Sequence, residues 1–157
     1  VAPAMVFKNQ EDVKEAYHKG LLNRDVVVVV RFQGPKANGM PELHALTPIL
    51  SNIQDMGFKV ALVTDGRMSG ASGKVLSAIH VTPEAIDGGT ISKIQDGDKI
   101  EIDANIGKLN LNEDFSDRKN CKLSKASNVS FGRNLFSLLR KNAISAESGA
   151  GLNLIND

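Results

Sequence analysis

Cysteine is nearly missing from this chain: Cys121 is the only one in 157 residues. A lone thiol excludes an internal disulfide, and it excludes any metal or iron–sulfur site built from this chain's cysteines alone. With no disulfide framework, a cytoplasmic setting is the natural expectation. Long apolar runs are lacking too. The longest, Val26 to Val30, is five β-branched residues. That is far short of the roughly 20 residues a membrane-spanning helix needs, and it suits a buried strand. No signal-peptide pattern stands at the start. Nor does one charge dominate, since 19 Lys and Arg against 18 Asp and Glu leave a net charge of +1. Such a balance gives no single-sign field to attract nucleic acid or a membrane surface, and neither is expected as a partner. What is present is an ordinary globular composition, 41% apolar and 24% charged, in a chain long enough for one domain with its own core. The chain opens on Val1-Ala2-Pro3-Ala4 without an initiator methionine, an extended start that we expect to continue something upstream.

Hydrophobic periodicity organises the rest. Residues 4–7 are expected to form a short strand. Glu11 and Asp12 place acids in the first turn of a helix running to Tyr17, with Asn9 or Gln10 before it and Lys19-Gly20 as its stop. Residues 26–32 make the strongest strand, and residues 33–41, holding Gly34, Pro35 and Gly39, are expected to be irregular. The spacing of Leu43, Leu46, Leu50 and Ile53 predicts a helix over 42–54, kinked or split at Pro48. Residues 59–63 and 75–81 are further strands, and Thr82-Pro83 reads as an N-cap followed by the first helical position.

From Thr90 the period falls to two, through Ile91, Ile94, Ile100 and Ile102, with turns at Asp96-Gly97-Asp98 and 105–107. This predicts a small antiparallel meander ending at residues 108–111. Residues 112–130 are polar and expected as an exposed helix or loop. Phe131, Leu135, Leu138 and Leu139 predict an amphipathic helix over 131–143 docked on the core. Residues 145–157, rich in Gly and Asn, are expected to be a loose tail. The fold class expected is mixed α/β: a barrel-like mixed sheet flanked by helices.

Two polar loops could carry chemistry. Residues 64–73, Thr-Asp-Gly-Arg-Met-Ser-Gly-Ala-Ser-Gly, follow a short apolar run; alone, such a loop is more often a tight turn than a site. The second loop, residues 31–44, collects Arg31, Gln33, Lys36, Asn38, Glu42 and His44. Glu42 is either a favourable charge at a helix N-terminus or a ligand for a hard cation such as Mg²⁺. Arg31 and Lys36 either grip an anion or are simply solvated. A lone His44 is more often structural than catalytic. A G-x-S-x-G nucleophile elbow needs glycine at position 67, where Arg67 stands, so a serine-hydrolase role for Ser69 fails. Proton transfer remains open to Ser69, with Arg67 and backbone N–H groups as nearby donors. Asp65 reads as a turn-former and Cys121 as incidental.

Taken together, residues 29–44 and 64–74, with Ala78-Ile79-His80-Val81-Thr82-Pro83-Glu84-Ala85 and Gly88-Gly89, resemble the dihydroxy-acid dehydratase/6-phosphogluconate dehydratase family. The likeness covers residues 1 to about 111, and Gly132-Arg133-Asn134-Leu135-Phe136 also fits. The Gln-Gly-Pro-Lys-Ala-Asn form of the first loop and Met68 in the second favour the phosphogluconate branch. The resemblance implies a single C-terminal domain, residues 1–157, of the swivelling β/β/α kind, in a roughly fourfold longer enzyme. It further implies an iron–sulfur cluster of the 4Fe–4S type held by the N-terminal domain, a nearby Mg²⁺ and a homodimeric whole. By the same resemblance Glu42 is a metal ligand and Ser69 the base; from the two loops themselves, Arg67, Lys36, Asn38 and His44 are candidate substrate contacts. The reaction implied is loss of water from 6-phospho-D-gluconate in the Entner–Doudoroff pathway. Two alternatives are a dehydratase for other dihydroxy or sugar acids and a non-catalytic anion-binding or interaction module.

Overall fold

The structure, a computed structural model, describes residues 1–69, 73–123 and 134–153. Six strands form one mixed sheet: β1 (Ala2–Phe7), β2 (Val26–Val30), β3 (Val60–Thr64), β4 (Leu76–Ala78), β5 (Lys99–Asp103) and β6 (Lys108–Leu111), in the order β4-β3-β2-β1-β5-β6. The first four are parallel; β5 then pairs antiparallel with β1, and β6 with β5. The sheet curls into a nearly closed barrel. The curl is visible in a cavity of about 290 Å³ lined by Val63 of β3 together with Leu109 and Leu111 of β6, strands that are not adjacent in the sheet.

Parallel strands joined by crossovers are covered on both faces, so their sequences run apolar without alternation. That is why Val26–Val30 is five valines, each almost wholly buried. Val26, Val28 and Val30 face helices α1 (Gln10–His18) and α3 (Leu46–Asp55), whose Val13, Leu46, Leu50 and Ile53 complete that core. Val27 and Val29 face a second core with Ile91, Ile94 and Ile100. Each valine's burial is worth about 1.5–3 kcal/mol relative to exposure. The expected helix start is confirmed at α1, where the Asn9 side chain accepts from the Asp12 N–H at 2.8 Å.

Several expectations need correction. The stretch expected to be irregular holds a one-turn helix, α2 (Pro35–Asn38), with Pro35 at its first position. Its first N–H groups, which have no partner within the helix, are capped by a carboxylate 47 residues beyond Ala37, Glu84, which no local pattern shows. The helix expected over 42–54 begins only at Leu46, because Glu42 forms a parallel bridge with Arg67 and the Leu43 N–H donates to the Arg67 carbonyl. Pro48 then falls in the first turn, where an N–H has no helical partner to lose. Strand β2 stops at Val30, and Phe32 sits at φ 64°. Pro83 lies before, not within, a one-turn 3₁₀ helix at Ala85–Asp87. The first leg of the expected meander is a second 3₁₀ helix, Thr90–Lys93, leaving the hairpin β5–β6.

At the C-terminal end the described helix, α4 (Ser137–Lys141), has five residues. Leu135, Leu138 and Leu139 do not enter the core; they are 62, 66 and 40% exposed, and Phe131 lies outside the described residues. Residues 112–123 are irregular and 124–130 are not described. Beyond α4, a 3₁₀ turn at Ala146–Ser148 returns the chain so that Leu152 bridges Ala143; residues 154–157 are not described.

Candidate active site

Both polar loops leave the same end of the sheet, after β2 and after β3, as open α/β folds place their sites. The first loop turns through α2 and returns as Met40-Pro41-Glu42; the second passes Asp65-Gly66 to Arg67 and Ser69. They meet edge to edge. Glu42 and Arg67 form a parallel bridge, and the Arg67 Nε donates to the Met40 carbonyl at 2.9 Å. The Glu42 Oε1 accepts the Ser69 N–H at 2.6 Å. Burial alone would raise the Glu42 pKa. Hydrogen bonding from Ser69 and the attraction of Arg67 and His44 outweigh it, so the carboxyl is held below its ordinary value. Ser69 and Arg67 are exposed, and the Glu42 side chain is 25% exposed.

Backbone strain gathers around this edge. Phe32, Met40 and His80 all have positive φ, at 64°, 57° and 57°, although none is glycine. Such positions persist only when their surroundings fix them, and they concentrate at functional sites. Here the fixing is explicit. The Phe32 and Gln33 N–H groups donate to Asp65 at 3.1 and 2.8 Å, the Met40 N–H to the Gly34 carbonyl, and the His80 N–H to the Gly66 carbonyl.

Comparison with known sequences bears on the same loops. Residues 1–150 match the profile of the family described as dihydroxy-acid/6-phosphogluconate dehydratase C-terminal. The chain belongs to this family. Among its relatives, the phosphogluconate dehydratase of Escherichia coli strain K12 is 56% identical over 95% of the chain and 25% of its own length. The phosphogluconate dehydratase of Zymomonas mobilis is 54% identical, again over 95% and 25%. The enzyme of that name from Pseudomonas aeruginosa is 53% identical over the same shares. The chain thus spans about a quarter of the length of the curated relatives it matches.

Within this dehydratase-family domain, the structure brings Glu42, Arg67 and Ser69 together, with His44 close enough to act on the Glu42 charge. The other residues expected at the site are placed differently. Lys36 pairs with Asp87 at 2.6 Å, and the Asn38 amide donates to Gln33 Oε1 at 3.0 Å. Arg31, considered as an anion grip, instead donates to the carbonyls of Ser92 and Ile94 at the end of the second 3₁₀ helix. Two buried carboxylates hold more than the sequence indicated: Asp65 is not just a local turn-former, and Glu84 carried no signal. Asp65 accepts from Phe32, Gln33 and Ala85, and Glu84 from Lys36 and Ala37. Burial raises the pKa of both, their hydrogen bonds opposing it. Only the position of Asp65 at a strand's end hinted at a role.

The donor set fits one metal and not the other. Glu42 Oε2 stands 3.9 Å from the Arg67 Nε, beyond hydrogen-bond distance, leaving lone pairs for a hard cation. Among the described residues no group of three or more His, Cys, Asp or Glu is arranged so that it could hold a metal ion. Mg²⁺ accepts such a site, since it takes one or two carboxylates and keeps its waters. An iron–sulfur cluster does not fit: it needs several thiolates, and the Sγ of Cys121 lies beside the Lys122 carbonyl next to the second core. Among the described residues no helix is long and apolar enough to cross a membrane.

Proposed function

We propose that this domain forms one wall of the active site of a hydro-lyase that converts 6-phospho-D-gluconate to 2-dehydro-3-deoxy-6-phosphogluconate, in the Entner–Doudoroff pathway. The observation that carries the proposal is the direct contact between Ser69 and Glu42 at the meeting of the two loops. The names of relatives 53–56% identical over nearly the whole chain support the substrate. Ser69 Oγ, ionised to the alkoxide, takes the proton from C2 and becomes the hydroxyl; the C3 hydroxyl leaves as hydroxide, and the enol left behind tautomerises to the 2-keto acid. Mg²⁺ held partly by Glu42, with a 4Fe–4S cluster on the N-terminal region of the enzyme, would supply the Lewis acidity for the substrate carboxylate and the departing hydroxyl. Arg67 and His44 line the substrate's carboxylate side, with Lys36 and Asn38 behind them on α2. The exposed leucines of α4 support contact with further protein, which we take to be the N-terminal region, in a homodimeric enzyme. A phosphorylated substrate, which does not cross membranes unaided, supports a cytoplasmic location.

The complete enzyme carrying Ser69→Ala should keep its melting temperature and lose roughly 10²–10⁴-fold in kcat; near-normal turnover would remove Ser69 as the base. Glu42→Gln should raise the Mg²⁺ concentration needed for half-maximal activity, and an unchanged requirement would take Glu42 out of the metal site.

A further inference from the structure

We infer that Glu84 is a positioning residue: through α2 it sets the place of Glu42 and Arg67. Its side chain is 3% exposed, and both oxygens are committed, Oε1 to the Lys36 N–H at 2.9 Å and Oε2 to the Ala37 N–H at 3.0 Å. A four-residue helix cannot hold itself, since one turn fixes many dihedrals for very few bonds. Two carboxyl oxygens accepting from its first N–H groups provide the missing stabilisation.

The contact is built for close approach. A Cβ at Gly34 would lie 2.7 Å from the Glu84 Cδ and overlap the carboxylate itself. Only glycine there lets Glu84 reach the helix. A matching fit holds the second loop, where a Cβ at Gly66 would lie 2.6 Å from that of Gln33. Glu84 is also fixed from behind, because the adjacent Ala85 N–H donates to Asp65 at 2.9 Å.

From this grip to the site is a short path. Ala37 is three residues from Met40, whose carbonyl receives the Arg67 Nε, and five from Glu42. Gly39 ends α2 in the left-handed region and Met40 follows it there, so the chain turns straight from helix to site. If α2 loosens, the Met40 carbonyl and Glu42 loosen with it. Glu84 touches no reacting atom in this scheme; it acts through the backbone.

The inference rests on Glu42 being a metal ligand, and the test separates the two. In the complete enzyme, Glu84→Gln keeps the side-chain volume but turns an NH₂ group toward an N–H donor. Hydrogen–deuterium exchange at residues 35–42 should speed up at least tenfold. Binding of Mn²⁺ in place of Mg²⁺, followed by its electron paramagnetic resonance signal, should weaken several-fold. Glu84→Asp, which keeps the charge and shortens the reach, should fall between. Ile53→Val, in the core on the other face of the sheet, controls for general destabilisation and should leave both readouts unchanged. If Glu84→Gln lowers only the melting temperature, leaving exchange at 35–42 and Mn²⁺ binding intact, Glu84 is not a positioning residue. If exchange rises but neither Glu84→Gln nor Glu42→Gln alters Mn²⁺ binding, positioning stands and the metal role of Glu42 fails.

Discussion

Asp65 has no exposed surface, and its carboxylate receives N–H groups from three residues: Phe32 and Gln33 on the first loop, and Ala85 at the start of the first 3₁₀ helix. Asn at this position has one acceptor oxygen where Asp has two, and its NH₂ would face a donor. Hydrogen bonds to a charged group contribute about 1.5–3 kcal/mol each, and stranding a buried donor costs about 1–3 kcal/mol. Asp65→Asn should therefore destabilise the 157-residue chain by about 2–3 kcal/mol, lowering its melting temperature by roughly 5–10 °C. A loss below about 1 kcal/mol would mean that the carboxylate does not hold the loops. There is a pH signature as well. Burial raises the Asp65 pKa, so the folded chain holds a proton that the unfolded chain has released. Stability from this group therefore declines as pH rises from the ordinary carboxylate range through the folded value, and the variant should lack that slope. Sequence reasoning identified Asp65 as a local turn-former because its partners lie 20 to 33 positions away, and nothing in a single sequence links them. Ser69, Glu42 and Arg67 could be named as candidates for the opposite reason: each stands in a continuous polar loop next to an apolar strand.

At the level of elements, whatever depended on burial against a regular partner was legible, as β2, β3 and the inner face of α3 demonstrate. Three of the misplaced ends are set by distant groups: α2 by Glu84, the start of α3 by Arg67, and the end of β2 by Asp65. The leucines of α4 have helical spacing, yet they lie outside both cores, because spacing shows a common face and not what covers it. The turn before β5 offers a test of an element held by charge. Asp98, 6% exposed, accepts from the Gln95 N–H at 2.8 Å and pairs with both terminal nitrogens of Arg118, tying residues 112–123 to the hairpin. Burial would raise its pKa, but the Arg118 bond and charge and the Gln95 N–H outweigh it, and the pKa is lowered. A carboxyl with a depressed folded pKa gives stability that is present above its unfolded value, near pH 4, and lost as pH falls toward the folded one. The stability gap between the parent chain and Asp98→Asn, from urea unfolding at pH 6 and at successively lower pH, should therefore shrink on acidification. A gap independent of pH would show that the ion pair adds nothing to the hairpin's anchorage.

For the molecule as a whole, the fold class and the pairing of the two loops were legible from sequence, while the surface around them was not. The candidate site is an edge rather than a pocket: Ser69 and Arg67 are exposed, and Glu42 offers one carboxylate where a metal needs further ligands. Beside it, a groove of about 480 Å³ between α2 and α4 is lined by Met40, Phe136, Leu139 and Leu152. Under the proposed function, an open candidate edge beside leucines that are exposed among the described residues would act as a half-site, and the chain spans about a quarter of the length of its relatives. Preorganised donors act strongly only where water is excluded, and this edge alone does not exclude it. The 157-residue chain, titrated calorimetrically with 6-phosphogluconate, should show no binding tighter than about 1 mM, with or without Mg²⁺, a Kd equivalent to only about 4 kcal/mol. It should not dehydrate the compound either. Micromolar binding by the chain alone would instead favour a self-sufficient anion-binding module, and the two loops would then be a complete receptor. If the chain stays silent while the complete enzyme binds and turns over the same ligand, the affinity belongs to the closed assembly, and the loops act only when a second surface covers them.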